Sequence, residues 1–281
     1  METVSTAEGH PPGTGHYSAS RTMAGVARIV DGAAGLRARD GYRRTGLLAG
    51  RFADSHPRFS QRWPRLAKAV DSPQTAVVGD ALKIALGIGM CAARNHPRRQ
   101  GLLAVTDIAV DRVLVARTNL GREGSDDMMD TLSVIAALTA LEADEAPARY
   151  LTALNVQLTL SYVMAGVAKL ASYEWNSGEA IRMIMSTESF GDPGLHRWFT
   201  EHRRAGQAVT WAVSVGEVLY PAIYLVPDRR LARTLAAAGM GFHLVVAAKM
   251  SLPQFIYAFG AAYPAVFWAI DRLGARRAVA K

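Results

Sequence analysis

The sequence contains one cysteine, Cys91, which excludes an internal disulfide and a CxxC redox or zinc pair. Lysine is also scarce: only positions 68, 83, 169, 249 and 281 carry it, and the other cations are arginines. The scattered His96, His196, His202 and His243 lack the pair spacing of zinc or haem ligands. No glycine-rich phosphate loop and no GxSxG turn is present, so a P-loop and a serine-hydrolase elbow are not expected. The net charge of +8 comes without a nucleic-acid motif, and no nucleic-acid partner is expected. The first 20 residues are polar and hold no apolar core, so they read as a disordered tail rather than a secretory signal.

What the chain does have is apolar length. Half of its 281 residues are hydrophobic and the mean hydropathy is only +0.07, so the averages do not declare a membrane protein. The local distribution does. Residues 151–168 and 250–270 are free of charge, 205–227 carries Glu217 alone, and 234–248 is uncharged and contains His243. Four such windows in the C-terminal part are hard to reconcile with buried helices of a soluble protein. The expected fold is all-α, a polytopic transmembrane bundle of about six to eight helices. The protein is placed as multi-pass in the cell membrane, with the lipid bilayer as its first partner.

Taken in order, residues 1–69 form a polar, basic N-terminal region. An interfacial amphipathic helix is expected at about 22–36, and a mostly looped, nine-cation stretch at 37–68. Residues 70–273 form the transmembrane domain, and 274–281 a basic tail. In the first span, at 76–93, Asp80 and Lys83 are spaced to meet and neutralise each other. The next segment, 101–120, puts Asp107 and Asp111 on one face, as in a packed helix or in a cation or proton site. Ser125 is the expected N-cap of a helix at 128–141, with Asp126 and Asp127 in its first turn. After the span at 149–170, a polar connection at 171–206 holds an amphipathic piece at 180–185 and a Gly-Asp-Pro-Gly turn at 191–194. Spans at 205–227, 231–249 and 252–270 complete the chain. Basic loops at 94–99, 228–233 and 272–281 fit the cytoplasmic side of a seven-span arrangement, which the cations of 37–68 contradict.

Three ionisable groups stand in or beside the apolar helices: Lys169, Glu217 and His243. Charge at the bilayer centre costs roughly 2.5–3.5 kcal/mol on insertion scales, so such groups tend to be paired or functional. Lys169 is either an anchor snorkelling to the interface or a desolvated amine able to act as a base. Glu217 and His243, on neighbouring spans, are spaced for a buried hydrogen-bonded pair. Lys249 reads as a snorkeller, and Asn155 and Gln157 as polar links between helices.

The motif AGVAKL at 165–170, with Trp175 and Gly178 after it, resembles the catalytic-lysine segment of vitamin K-dependent gamma-carboxylases. It is also similar to the wider bacterial family of horizontally transferred transmembrane (HTTM) proteins. A second block agrees: Glu217, Tyr220, Pro221, a turn at 227–230, Gly241, Phe242, His243, Met250 and Phe255. The resemblance covers roughly 70–273. It implies that Lys169 is the base that deprotonates reduced vitamin K or menaquinone, with His243 and Glu217 beside it and Trp175 and Gly178 near the cofactor. It also implies a peptide substrate or partner chain. The departures are an alanine, Ala168, where the carboxylases have a first lysine, one extra residue before Trp175, no histidine in the 121–127 loop, and no large lumenal part after the last span. The alternative within the resemblance is a non-catalytic partner, like the subunit that matures a sporulation-delaying peptide toxin.

Overall fold

Prolines mark where many of the helices begin. Pro57, Pro64, Pro73, Pro97 and Pro193 each open one, because a first-turn N–H has no intrahelical partner to lose. The computed structural model describes residues 12–118, 120–142, 144–250 and 252–279, and among them there are fourteen α-helices, two 3-10 turns and no strand. The helices are α1 (Thr14–Arg37), α2 (Phe52–Ser55), α3 (Pro57–Arg62), α4 (Pro64–Asp71), α5 (Pro73–Ala92), α6 (Pro97–Thr118) and α7 (Gly124–Thr139). Then come α8 (Ala146–Ala171), α9 (Tyr173–Asn176), α10 (Ala180–Met185), α11 (Pro193–Glu201), α12 (Arg203–Leu219), α13 (Arg229–Lys249) and α14 (Gln254–Val279). By packing, the chain divides into two units, Met1–Tyr150 and Leu151–Lys281.

In the first unit α1 is the organising helix. The part of the expected tail from Thr14 onward is helical, while residues 1–11 lie outside the described residues. The helix expected at 22–36 is thus longer, and two of its arginines, Arg21 and Arg28, are buried. One face meets α5 backbone to backbone: a Cβ at Gly25 would lie 2.6 Å from the Gly87 carbonyl oxygen. The other face carries Arg21 and Arg28, seven residues apart and so on one stripe. Arg21 is fully buried and donates from Nε to Gln100 Oε1 at 2.8 Å. Arg28 reaches Asp107 Oδ2 at 2.8 Å from Nη2 and Asp111 at 3.6 Å from Nη1, while Ser133 Oγ on α7 donates to the same Asp107 oxygen at 2.7 Å. Asp107 and Asp111 do share a face and share Arg28, while Asp111 also accepts from Arg122 at 3.2 Å.

Asp80 and Lys83 do not pair with each other. Asp80 accepts from Tyr42 Oη at 2.6 Å, and Lys83 reaches Asp31 on α1 at 2.9 Å, since tertiary partners lie closer than the intrahelical one. The basic stretch at 37–68 folds as short helices rather than loop. Asp71 accepts from the Phe52 and Ala53 amides, and Arg117 donates to the Leu48 carbonyl at 2.8 Å. Helix α7 is capped by Glu123 in a reciprocal box with Asp126, so Ser125 is not the cap and is instead buried inside the helix.

In the second unit the described connection between α8 and α12 is largely helical. The amphipathic piece expected at 180–185 is α10, and Asp192 of the 191–194 turn caps α11. The segment expected to span at 205–227 divides: α12 ends at Leu219 and Pro221 stands in a 3-10 turn, Tyr220–Tyr224.

Three helices, α5, α8 and α13, are long and apolar enough to cross a membrane. Helix α8 is apolar on both of its faces. Leu151, Leu154 and Leu158 are fully buried on one side, while Val156, Leu160, Met164 and Val167 face outward on the other. A helix that is apolar on both faces is suited to a protein core or to a membrane.

The Arg28–Asp107 pair generates a stability prediction. Arg28→Ala or Asp107→Ala alone strands a buried charge and should cost about 3–5 kcal/mol, whereas Arg28→Met with Asp107→Leu should cost less than either. Denaturant unfolding of the three variants in detergent checks the order.

Candidate functional site

The site is built along the seam where α8 and α12 run antiparallel. Tyr224 Oη donates to Asn155 Oδ1 at 2.6 Å, Tyr162 stacks on Tyr220 at 4.2 Å, and Gly166 touches α12 further along. A Cβ at Gly166 would sit 2.7 Å from the Val218 amide nitrogen and 2.8 Å from the Ser214 carbonyl oxygen. Only glycine permits that approach. One turn later, Lys169 Nζ lies 2.7 Å from Glu217 Oε2. The two side chains keep 21% and 11% of their exposure, so the pair is shielded from solvent without being sealed.

The other boundary of the lysine is Trp175, whose ring centre is 5.1 Å from Nζ. An ammonium over an indole face is attracted by the ring quadrupole. Trp175 is carried by the single turn α9, which Asn176 fastens back by donating to the Leu170 carbonyl. Gly178 ends this turn with φ 77° and packs against Gln207, both of which require glycine there. Lys169 thus ends an apolar helix, as a snorkelling residue would, with its ammonium on a carboxylate and an aromatic face.

His243 belongs to a separate cluster. It is 3% exposed; its Nε2 shares a hydrogen bond of 2.5 Å with Tyr162 Oη, which also bonds Tyr263 Oη at 3.0 Å. The Phe259 ring stacks on the imidazole at 3.7 Å. The expected pairing of Glu217 with His243 does not occur, because Glu217 is taken by Lys169 and His243 by Tyr162. Helix α8 still connects the two clusters. Tyr162 and Lys169 are seven residues apart, two turns or about 10 Å along one face.

The remaining candidates divide by position. Asn155 links α8 to the 3-10 turn, as a polar link should, but Gln157 is exposed and bonds Ser161 of its own helix at 3.5 Å. Lys249 reaches Asp192 at 3.4 Å. The Leu195 amide, and after it Lys249, holds the Asp192 carboxyl below the usual range. In the connection, hydrogen bonds from Arg182 and then Arg203 lower Glu179 in the same way.

Tyr162, Tyr263 and Gly166 escape a reading that searches for charges. The available signal is spacing, since Tyr162, Gly166 and Lys169 recur on one helical face. No known protein family, curated protein or solved structure matches this chain.

Gly166 supplies the prediction for this seam. Gly166→Ala should destabilise the protein by about 1–3 kcal/mol, as overpacking does, and Gly166→Val by more. The same alanine at Gly216, which has open space around it, should be neutral or stabilising. Thermal unfolding of the three variants tests the contact.

Proposed function

We propose that this is an integral membrane protein whose C-terminal unit handles a proton at Lys169, within quinol-driven, carboxylase-like chemistry. The observation that carries the reading is the Lys169–Glu217 pair itself, a shielded acid and base 2.7 Å apart beside an aromatic ring. The kinship with the gamma-carboxylase and HTTM lineage rests on the residues 165–178 and 217–255 alone. In this reading α12 and α14 join the three apolar helices in the bilayer, with first-unit helices bringing the spans to six or more.

The chemistry follows from the pairing. In a medium of low dielectric an ion pair and its neutral form are close in energy, because desolvation penalises both charges. Transfer of the Nζ proton to Glu217 leaves a neutral amine that can take a proton from an acidic hydroxyl. A reduced vitamin K or menaquinone would supply that hydroxyl and the electrons for oxygen. The residues present fit such a group: Trp175 offers a half-exposed flat ring, and the Lys169–Glu217 pair a hydrogen-bonding edge. His243 and Tyr162 act from the next two turns, where they hold α13 and α14 against α8 and set the polarity around the pair. A peptide substrate or a partner chain would receive the product of this chemistry.

A second reading, a non-catalytic or maturation partner, is favoured by the same geometry seen as a lock. Lys169 has a carboxylate and a ring, the full complement of a structural cation.

The two separate on Lys169→Arg. Arginine keeps the ion pair and the stacking on Trp175 but does not give up its proton. Oxygen uptake by membranes supplied with reduced menaquinone or vitamin K is expected in wild type and lost in Lys169→Arg at equal membrane levels. Uptake that survives the substitution rejects the base, and the absence of uptake in wild type leaves the lock.

A further inference from the structure

The end of the second unit formed by the start of α13 and the finish of α14 takes no part in the site above. It gathers Arg229, Arg230, Arg233, Arg272, Arg276 and Arg277 against two acids, Asp228 and Asp271. Both acids are engaged. Asp228 caps α13 by accepting from the Leu231 amide at 2.7 Å, and Asp271 takes Arg229 Nε at 2.7 Å and Arg233 at 3.8 Å. Arg277 is half-buried and donates to the Tyr224 and Val226 carbonyls at 2.7 and 2.8 Å, so its charge meets backbone dipoles rather than a carboxylate. The 3-10 turn presents the Tyr224 carbonyl, and the connection just after it presents that of Val226.

Between these elements lies a shallow, open groove. Arg229 and Arg277 line it together with the apolar Ile223, Val226, Ile270 and Leu273. Cations over an apolar floor suit an amphiphile with an anionic head. The location agrees, since the groove sits at the end of α13, one of the helices able to cross a membrane. Arg272 lies over the Trp268 ring at 5.1 Å and Arg233 over Phe267 at 5.7 Å, the mixture of aromatic and basic side chains found at headgroup depth.

We propose that this groove binds the phosphate of an anionic phospholipid, with the acyl chains leaving along its apolar floor. The assignment rests on the membrane reading and is independent of any chemistry at Lys169. Anionic lipid would then hold the 3-10 turn, α13 and α14 together and orient this end toward the cytoplasmic leaflet.

The test uses the full chain in neutral detergent, titrated with phosphatidylglycerol or phosphatidylcholine and followed by thermal unfolding and native mass spectrometry. Phosphatidylglycerol should bind saturably and raise the unfolding temperature, whereas phosphatidylcholine should not. Arg277 also ties the turn, so Arg229→Gln is the decisive variant. It should weaken phosphatidylglycerol binding roughly fivefold to tenfold, the worth of one cation near an anionic surface. Arg98→Gln, the same charge change at the start of α6, should leave binding intact. Equal binding of the two lipids, or equal loss in both variants, overturns the site. Full competition by millimolar inorganic phosphate would make free phosphate the ligand and overturn the lipid assignment. A chain that stays monodisperse without detergent would instead overturn the membrane reading.

Discussion

Charge that leaves water must find a partner, and in this protein the partner stands on another helix. Arg28 of α1 is neutralised by Asp107 and Asp111 of α6, Lys83 of α5 by Asp31 of α1, and Lys169 of α8 by Glu217 of α12. Asp80 and Lys83 pass over the partner on their own helix, although Arg28 also keeps Asp31 of α1 at 3.6 Å. An ion pair within one helix does nothing to hold two helices together, whereas a cross-helix pair fixes both neighbour and register. Breaking such a pair costs more than it contributes, so each one specifies the packing more than it stabilises it.

The pairs work because the backbones come close. Gly25 and Gly87 bring α1 onto α5, and Gly166 brings α8 onto α12. Small residues at the crossing are the usual means of association where lipid competes equally well for apolar side chains. The same contact that removes a side chain at Gly166 shortens the reach from Lys169 to Glu217. Packing and candidate chemistry therefore depend on one residue in the second unit.

The outward surface completes the physical description. Leucines and valines of α5, α8 and α13 face away from their packing partners, while the interior collects arginine, aspartate, tyrosine and histidine. This distribution, apolar outside and paired polar groups inside, suits a bilayer better than water. In the second unit the basic residues near Arg229 stand where one of these helices, α13, begins.

Much of this was legible in the chain. Charge-free runs and prolines determine where the helices lie, and the apolar length of α5, α8 and α13 marks them as able to cross a membrane. The isolation of Lys169, Glu217 and His243 among apolar residues makes them candidates without any coordinates. Their partners were not legible, because pairing is decided by which helix faces which and at what height, and a single sequence carries no distance between helices. Hence Glu217 meets Lys169, 48 residues away, rather than His243, and His243 meets a tyrosine that no search for charge would have chosen. Composition determined that the polar groups would be few and in need of partners; the close crossing at Gly166 and the stripe from Tyr162 to Lys169 decided which partners they took.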